Sequence, residues 1–130
     1  MTVHAKTFAP PKQAAVWFEI PTSDMERSKA FYAQVLATHF RDETAGPNPM
    51  AVFAYSGDKE AVSGHIFPGK PAAEGTGPLI HFPLPDSLEA GMQRVWDAGG
   101  KVVSPAIEIP AGRFAYCVDP DGNSFGIFSR

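Results

Sequence analysis

The sequence predicts an α+β fold made of two β-α-β-β-β modules in one domain, forming a curved mixed sheet around a concave pocket. Three observations predict it. A strand, a helix and three further strands can be read between Ala15 and Phe67, and the same order returns between Pro78 and Ser129. One offset, 62 residues from Asp24 to Asp86, lays the first cycle on the second without a gap. It pairs Phe18 with Ile80, Ile20 with Phe82, Pro21 with Pro83, Ala37 with Gly99, the GDKE turn with PDGN, and Gly64 with Gly126. Each half alone is a small sheet with one helix on one face, and two such halves build a concave inner side suited to a small molecule.

Residues 1–14 carry Pro10-Pro11, which favours an extended arm, and are read as an N-terminal tail. The domain is expected over 15–130, with module one at 15–67, a linker at 68–77 and module two at 78–129. In module one, AVWFEIP reads as a strand with Phe18 and Ile20 on one face and Trp17 and Glu19 on the other. Ser23 with Glu26 fits a capping box, and Met25, Ser28, Phe31, Tyr32, Val35 and Leu36 recur at helical spacing, so a helix is expected from Asp24 to about Leu36. Strands follow at His39–Glu43, Met50–Ser56 and Val62–Phe67. The segment PGKPAAEGTG is rich in Gly and Pro and reads as the linker. Module two repeats the order with a strand at Pro78–Leu84 and a helix from Asp86 to about Ala98. That helix buries Leu88, Met92, Val95 and Trp96 and stops at Gly99-Gly100. Strands are expected at Lys101–Ser104, Arg113–Val118 and Ser124–Phe128, the last two joined as a hairpin through the turn DPDGN.

Composition narrows the function. A formal net charge of −3 without a basic cluster gives no footprint for phosphates, so nucleic acid is not an expected partner. No apolar run approaches the ~20 residues needed to span a bilayer, and the N-terminus lacks the apolar core of a signal peptide. The lone Cys117 cannot form an intrachain disulfide and fits a reducing compartment, so the expected location is the cytoplasm, with no membrane contact. Walker A, Rossmann, nucleophile-elbow and CxxC patterns are all missing, which leaves nucleotide cofactors no anchor.

The openings FEIPTSDMERSKAFYAQVL and LIHFPLPDSLEAGMQRVWDAGGKVV, with the closing YCVDPDGNSFGIF, resemble the vicinal oxygen chelate superfamily, which includes glyoxalase I, bleomycin and fosfomycin resistance proteins and extradiol dioxygenases. The resemblance runs from Ala15 to Ser129 and is specific for the fold rather than for a reaction. It implies metal ligands at four pseudo-symmetric positions: a His seven residues before each helix-capping Asp and a Glu in the last strand of each module. Those positions are Trp17, Leu79, Gly64 and Gly126, none of which carries a ligating side chain. No metal and no other cofactor is therefore expected. A homodimer is implied by resemblance alone, with modules pairing across subunits.

Within the expected pocket, the repeat pairs Glu19 with His81, and both should point into the concavity as an acid/base pair or as a buried ion pair. Trp17 could stack on a flat ligand or simply pack. Gly64 and Gly126 fit either close approach of a ligand or crowded strands, and Leu79, Tyr116 and Tyr55 are expected along the lining. Arg113 could clamp a carboxylate or stand solvated at the rim. His65, one residue after Gly64, is expected on the opposite face from the site, and Cys117 as a structural thiol. The expected function is binding of a small organic molecule without the usual metal. The alternative is a glyoxalase-like lyase or isomerase using Glu19 and His81 for proton transfer.

Overall fold

Strand β1 (Trp17–Thr22) leads directly into helix α1 (Met25–Leu36), and the junction is fixed by local polar chemistry. A computed structural model describes residues 8–130 apart from 45 and 47, so half of the expected tail and two residues of the AGPNP turn lie outside the described residues. Asp24 caps α1 by accepting from the Arg27 amide at 3.0 Å, one residue later than the expected Ser23 capping box. Ser23 is drawn away because its hydroxyl donates to Asp121 across the module boundary. The helix ends where Ala37 takes a left-handed φ of 53°. Strands β2 (Phe40–Glu43), β3 (Met50–Phe53) and β4 (Ser63–Pro68) complete the module in the order β1-β4-β3-β2, with β1 and β4 parallel and the rest antiparallel.

Module two repeats this plan with β5 (Ile80–Pro83), α2 (Leu88–Asp97), β6 (Lys101–Val102), β8 (Gly112–Val118) and β9 (Ser124–Ser129) in the order β5-β9-β8-β6. One strand was not expected: β7 (Ile107–Ile109) pairs with the start of β8. Ser87 caps α2, whose buried positions are Leu88, Gly91 and Val95. Trp96, expected in that stripe, is 54% exposed instead. Gly91 takes its turn of the helix surface because the Leu84 side chain lies where a Cβ there would fall.

The curved sheet is thus made in two parts, which share one hydrophobic core under the helices. Phe82 stands at its centre, its ring 5.5 Å from Phe18, 5.4 Å from Phe53 and 5.7 Å from Tyr32. Aromatic pairs of this kind contribute about 0.5–1.5 kcal/mol each beyond their burial. Polar contacts tie the same boundary. The buried Tyr32 hydroxyl donates to Asp119 at 2.6 Å, and the Asn123 amide donates to the Pro21 carbonyl at 2.8 Å. Asp121 reaches from the DPDGN turn to the N-terminal end of α1. There it accepts from the hydroxyls of Thr22 and Ser23 and from Arg27 at 2.7 Å.

Candidate functional site

Register decides which side chains the two sheets present. In module one Phe18 lies opposite Gly64 and Glu19 opposite His65, whereas in module two Ile80 lies opposite Phe125 and His81 opposite Gly126. The first strands therefore correspond at an offset of 62 (Glu19 to His81), but the last strands correspond at 61 (His65 to Gly126). The cause is hydrophobic. Ile66 and Ile127 are both fully buried, and each carries every second residue of its strand into the core. Gly64 consequently faces the core beside the Phe18 ring, while Gly126 faces away from it beneath the His81 ring.

His65 accordingly joins Trp17 and Glu19 on the face away from the helices, which corrects its expected separation from the site. The Trp17 indole N–H donates to His65 Nδ1 at 2.9 Å, and His65 Nε2 stands 3.0 Å from Glu19 Oε1. An imidazole that accepts at Nδ1 turns its Nε2 towards the carboxylate. His65 is 8% exposed, whereas Trp17 is 41% exposed and the Glu19 side chain 61%. Tyr55 packs edge-on to Trp17 with ring centroids 6.4 Å apart.

The expected Glu19–His81 pair does not form; the imidazole partner of Glu19 is His65. His81 instead lies against the rings of Phe114 and Tyr116, at 5.0 and 5.9 Å. Desolvation holds its pKa below the ordinary histidine value, which favours the uncharged ring. Phe114 was missed by sequence reasoning, although its alternation with Ala115 and Cys117, both buried, marks the same face as Tyr116. Arg113 alternates the other way. Its guanidinium pairs with Glu89 of α2 at 2.8 Å and stands 3.6 Å from Glu108, so it serves the helix side rather than a pocket. Burial pushes the Cys117 thiol up to about 12, leaving it protonated at neutral pH.

Where the modules meet, a groove of about 660 Å³ opens, lined chiefly by Phe18, Phe53, Tyr55, Leu79, His81 and Phe82. A smaller cavity of about 150 Å³ lies beside Glu19, Tyr32 and Asn123.

The family model of the Glyoxalase/Bleomycin resistance protein/Dioxygenase superfamily matches residues 14–127. The chain belongs to this superfamily. CFP32 of Mycobacterium tuberculosis and its Mycobacterium bovis counterpart, provisionally named glyoxylases, are 28% identical to it over 116 residues, covering 86% of this chain and 44% of theirs. The chain thus spans less than half the length of these curated relatives. A glyoxalase/bleomycin resistance protein from Albidiferax ferrireducens superposes with a TM-score of 0.69 at 21% identity, over 91% of this chain and 99% of that one. The fosfomycin resistance protein FosX from Mesorhizobium loti superposes with a TM-score of 0.62 at 21% identity, over 89% of each chain. Identities this low carry the fold and no more. No helix among the described residues is long and apolar enough to cross a membrane.

The metal-dependent members of the superfamily need donors at four positions, and the residues present do not fit that set. Trp17 gives its only polar hydrogen to His65, Leu79 is alkyl, and the space over Gly126 is filled by the His81 ring; in module one the register puts His65 in the place expected for Gly64, a single imidazole already engaged by Trp17 and Glu19. Among the described residues, no three His, Cys, Asp or Glu side chains are grouped to hold a metal ion.

Proposed function

We propose that this chain is a small-molecule-binding member of the superfamily, taking an apolar organic ligand in the groove between its modules without the usual metal. The observation that carries the reading is the groove itself. Its volume of about 660 Å³ suits a drug-sized molecule, and it leaves Tyr55, Val62 and Leu79 half exposed where folding alone would bury them. His81 supplies a neutral polar group at its wall. A thermal-shift screen of small aromatic compounds tests this: a true ligand at a hundred times its Kd adds about 2.7 kcal/mol of stability. Leu79→Asp should remove that shift while leaving the melting of the unliganded protein nearly unchanged, because Leu79 is already half exposed. A hit whose shift survives Leu79→Asp binds elsewhere and contradicts the reading.

The second reading, a glyoxalase-like lyase or isomerase, is favoured by one observation: Glu19 is held by His65 with most of its side chain open to solvent. It requires turnover that Glu19→Gln abolishes. Homodimer formation is supported by the aromatic face of His81, Tyr116 and Phe128 packed about the buried Phe114, in which Tyr116 is 36% exposed. Light scattering giving the mass of one chain would exclude it. A cytoplasmic setting is supported by the single, buried Cys117.

A further inference from the structure

We infer that the ligand of the groove between the modules is an amphiphilic acid, an apolar or aromatic body ending in a carboxylate, and that Arg130 takes up the carboxylate in a cavity adjoining the groove. This rests on the small-molecule-binding reading and adds a second subsite and a charge to it. Three observations point the same way.

The first is continuity. A further cavity, of about 790 Å³, is lined in part by Leu84, Asp86, Phe128 and Arg130. His81 and Pro83 belong to its wall and to the wall of the groove, so the two spaces adjoin along β5. Both alternate with the buried Phe82 and stand on the same face of that strand.

The second is the contrast in charge. None of the residues lining the groove is an Asp, Glu, Lys or Arg. The adjoining cavity has two charged side chains in its wall, Asp86 and Arg130. Asp86 is already matched, because both terminal nitrogens of Arg94 donate to its carboxylate, at 2.6 and 2.8 Å. The guanidinium of Arg130 is left to decide which ion the cavity attracts.

The third is that Arg130 is unmatched and yet held. Arg27 pairs with Asp121, Arg41 with Glu43, Arg94 with Asp86 and Arg113 with Glu89, whereas among the described residues no Asp or Glu lies within ion-pairing distance of Arg130. Lys59 and Lys70 also lack an acidic partner, but neither lines the groove or the adjoining cavity. The Arg130 guanidinium stands 5.8 Å from the centre of the Phe128 ring, Phe128 stacks on Phe114, and Phe114 lies 5.0 Å from the His81 ring. The cation is thereby kept on the face of the sheet that His81 shares. Its planar fork of N–H donors matches the two oxygens of a carboxylate. Strand residues advance about 3.3 Å each, so a body beside Leu79 needs a spacer of several carbon–carbon bonds to bring its acid to the far end of β5.

Binding is measured by titration calorimetry on the full chain with three probes that share a phenyl body: ω-phenylhexanoate, ω-phenylhexanol and phenylacetate. Both long probes should bind and lose their affinity in Leu79→Asp. Arg130→Ala removes an exposed side chain outside the core. It should weaken ω-phenylhexanoate about fivefold, the size of one exposed charge contact, and leave ω-phenylhexanol unchanged. Phenylacetate is too short to span the two spaces, so its affinity should not respond to Arg130→Ala. An unchanged affinity of ω-phenylhexanoate in Arg130→Ala would overturn the carboxylate assignment, as would equal weakening of the long acid and the long alcohol; the groove reading stands in either case if Leu79→Asp still removes binding. Phenylacetate weakening alongside the long acid would overturn the two-subsite arrangement. If no probe binds while the thermal-shift screen still yields groove ligands, the assignment falls alone; if the screen fails too, both fall.

Discussion

The two modules use the same strand positions for opposite purposes. In module one the position beside the first strand holds His65, which links an indole to a carboxylate; in module two it holds Gly126, and the imidazole of His81 lies down into the space. One face is polar and connected, the other chiefly aromatic, with the Arg130 guanidinium 5.8 Å from the centre of the Phe128 ring. A shift of one residue in the last strand produces the difference, because Ile66 and Ile127 must both be buried. A repeat in the chain therefore guarantees shared architecture and does not guarantee shared chemistry.

The largest effect should come from the two glycines, which test that comparison directly. A Cβ at Gly64 would lie 2.4 Å from the Phe18 carbonyl oxygen, which backbone pairing holds in place, so Gly64→Ala should cost towards the upper end of the roughly 1–3 kcal/mol typical of overpacking. At Gly126 the obstacle is the His81 ring, 2.1 Å from the added carbon, and that ring can turn towards solvent. Gly126→Ala should therefore cost less than about 1 kcal/mol while moving the His81 NMR signals. Equal shifts in urea midpoint would break the comparison.

Next in size is the tie between the modules. Tyr32→Phe leaves Asp119 buried with one partner fewer, at a cost of about 1–3 kcal/mol in chemical denaturation. Burial pushes Asp119 above the ordinary carboxylate value, although hydrogen bonds from Tyr32 and Asn123 oppose it. For Asp121 burial also acts upward, but hydrogen bonds from Ser23 and Thr22 and the charge of Arg27 outweigh it, leaving its pKa depressed. The signs then separate. Asp121 stabilises the fold above the ordinary carboxylate pKa of about 3.9, and that contribution is lost as pH falls through its depressed folded value. Asp119 works in reverse: stability is lost as pH rises from the unfolded value to its raised folded one. Asp121→Asn should flatten the acid limb of a stability–pH curve, whereas Asp119→Asn should not; parallel acid limbs for wild type and Asp121→Asn would contradict this.

The smallest effect belongs to Arg113. Its partners Glu89 and Glu108 are solvent-facing, so Arg113→Ala should leave both the melting temperature and ligand affinity within error. A clear loss of affinity would return Arg113 to the site.

Much of this was legible in the sequence. Apolar spacing and turn residues located both helices and most strands, because those signals report burial, and burial is what the fold satisfies. The alternation of Trp17 and Glu19 against Phe18 and Ile20 also placed the first strand's faces. What the sequence hid was the register between strands far apart in the chain. A gapless repeat set Gly64 beside Gly126 and so put His65 on the wrong side, although Ile66 could have shown that Gly64 points inward. The Ser23 cap and the Trp96 stripe failed for a related reason: Asp121 and exposed solvent, rather than local sequence, decide those positions.

The most direct measurement follows the His81 ring signals in a ¹H–¹³C correlation spectrum during titration with a compound that raises the melting temperature in the thermal-shift screen. The His81 signals should move saturably while the indole N–H signal of Trp96, exposed on α2 and outside the groove lining, stays in place; His81 signals that do not move would contradict a ligand site between the modules.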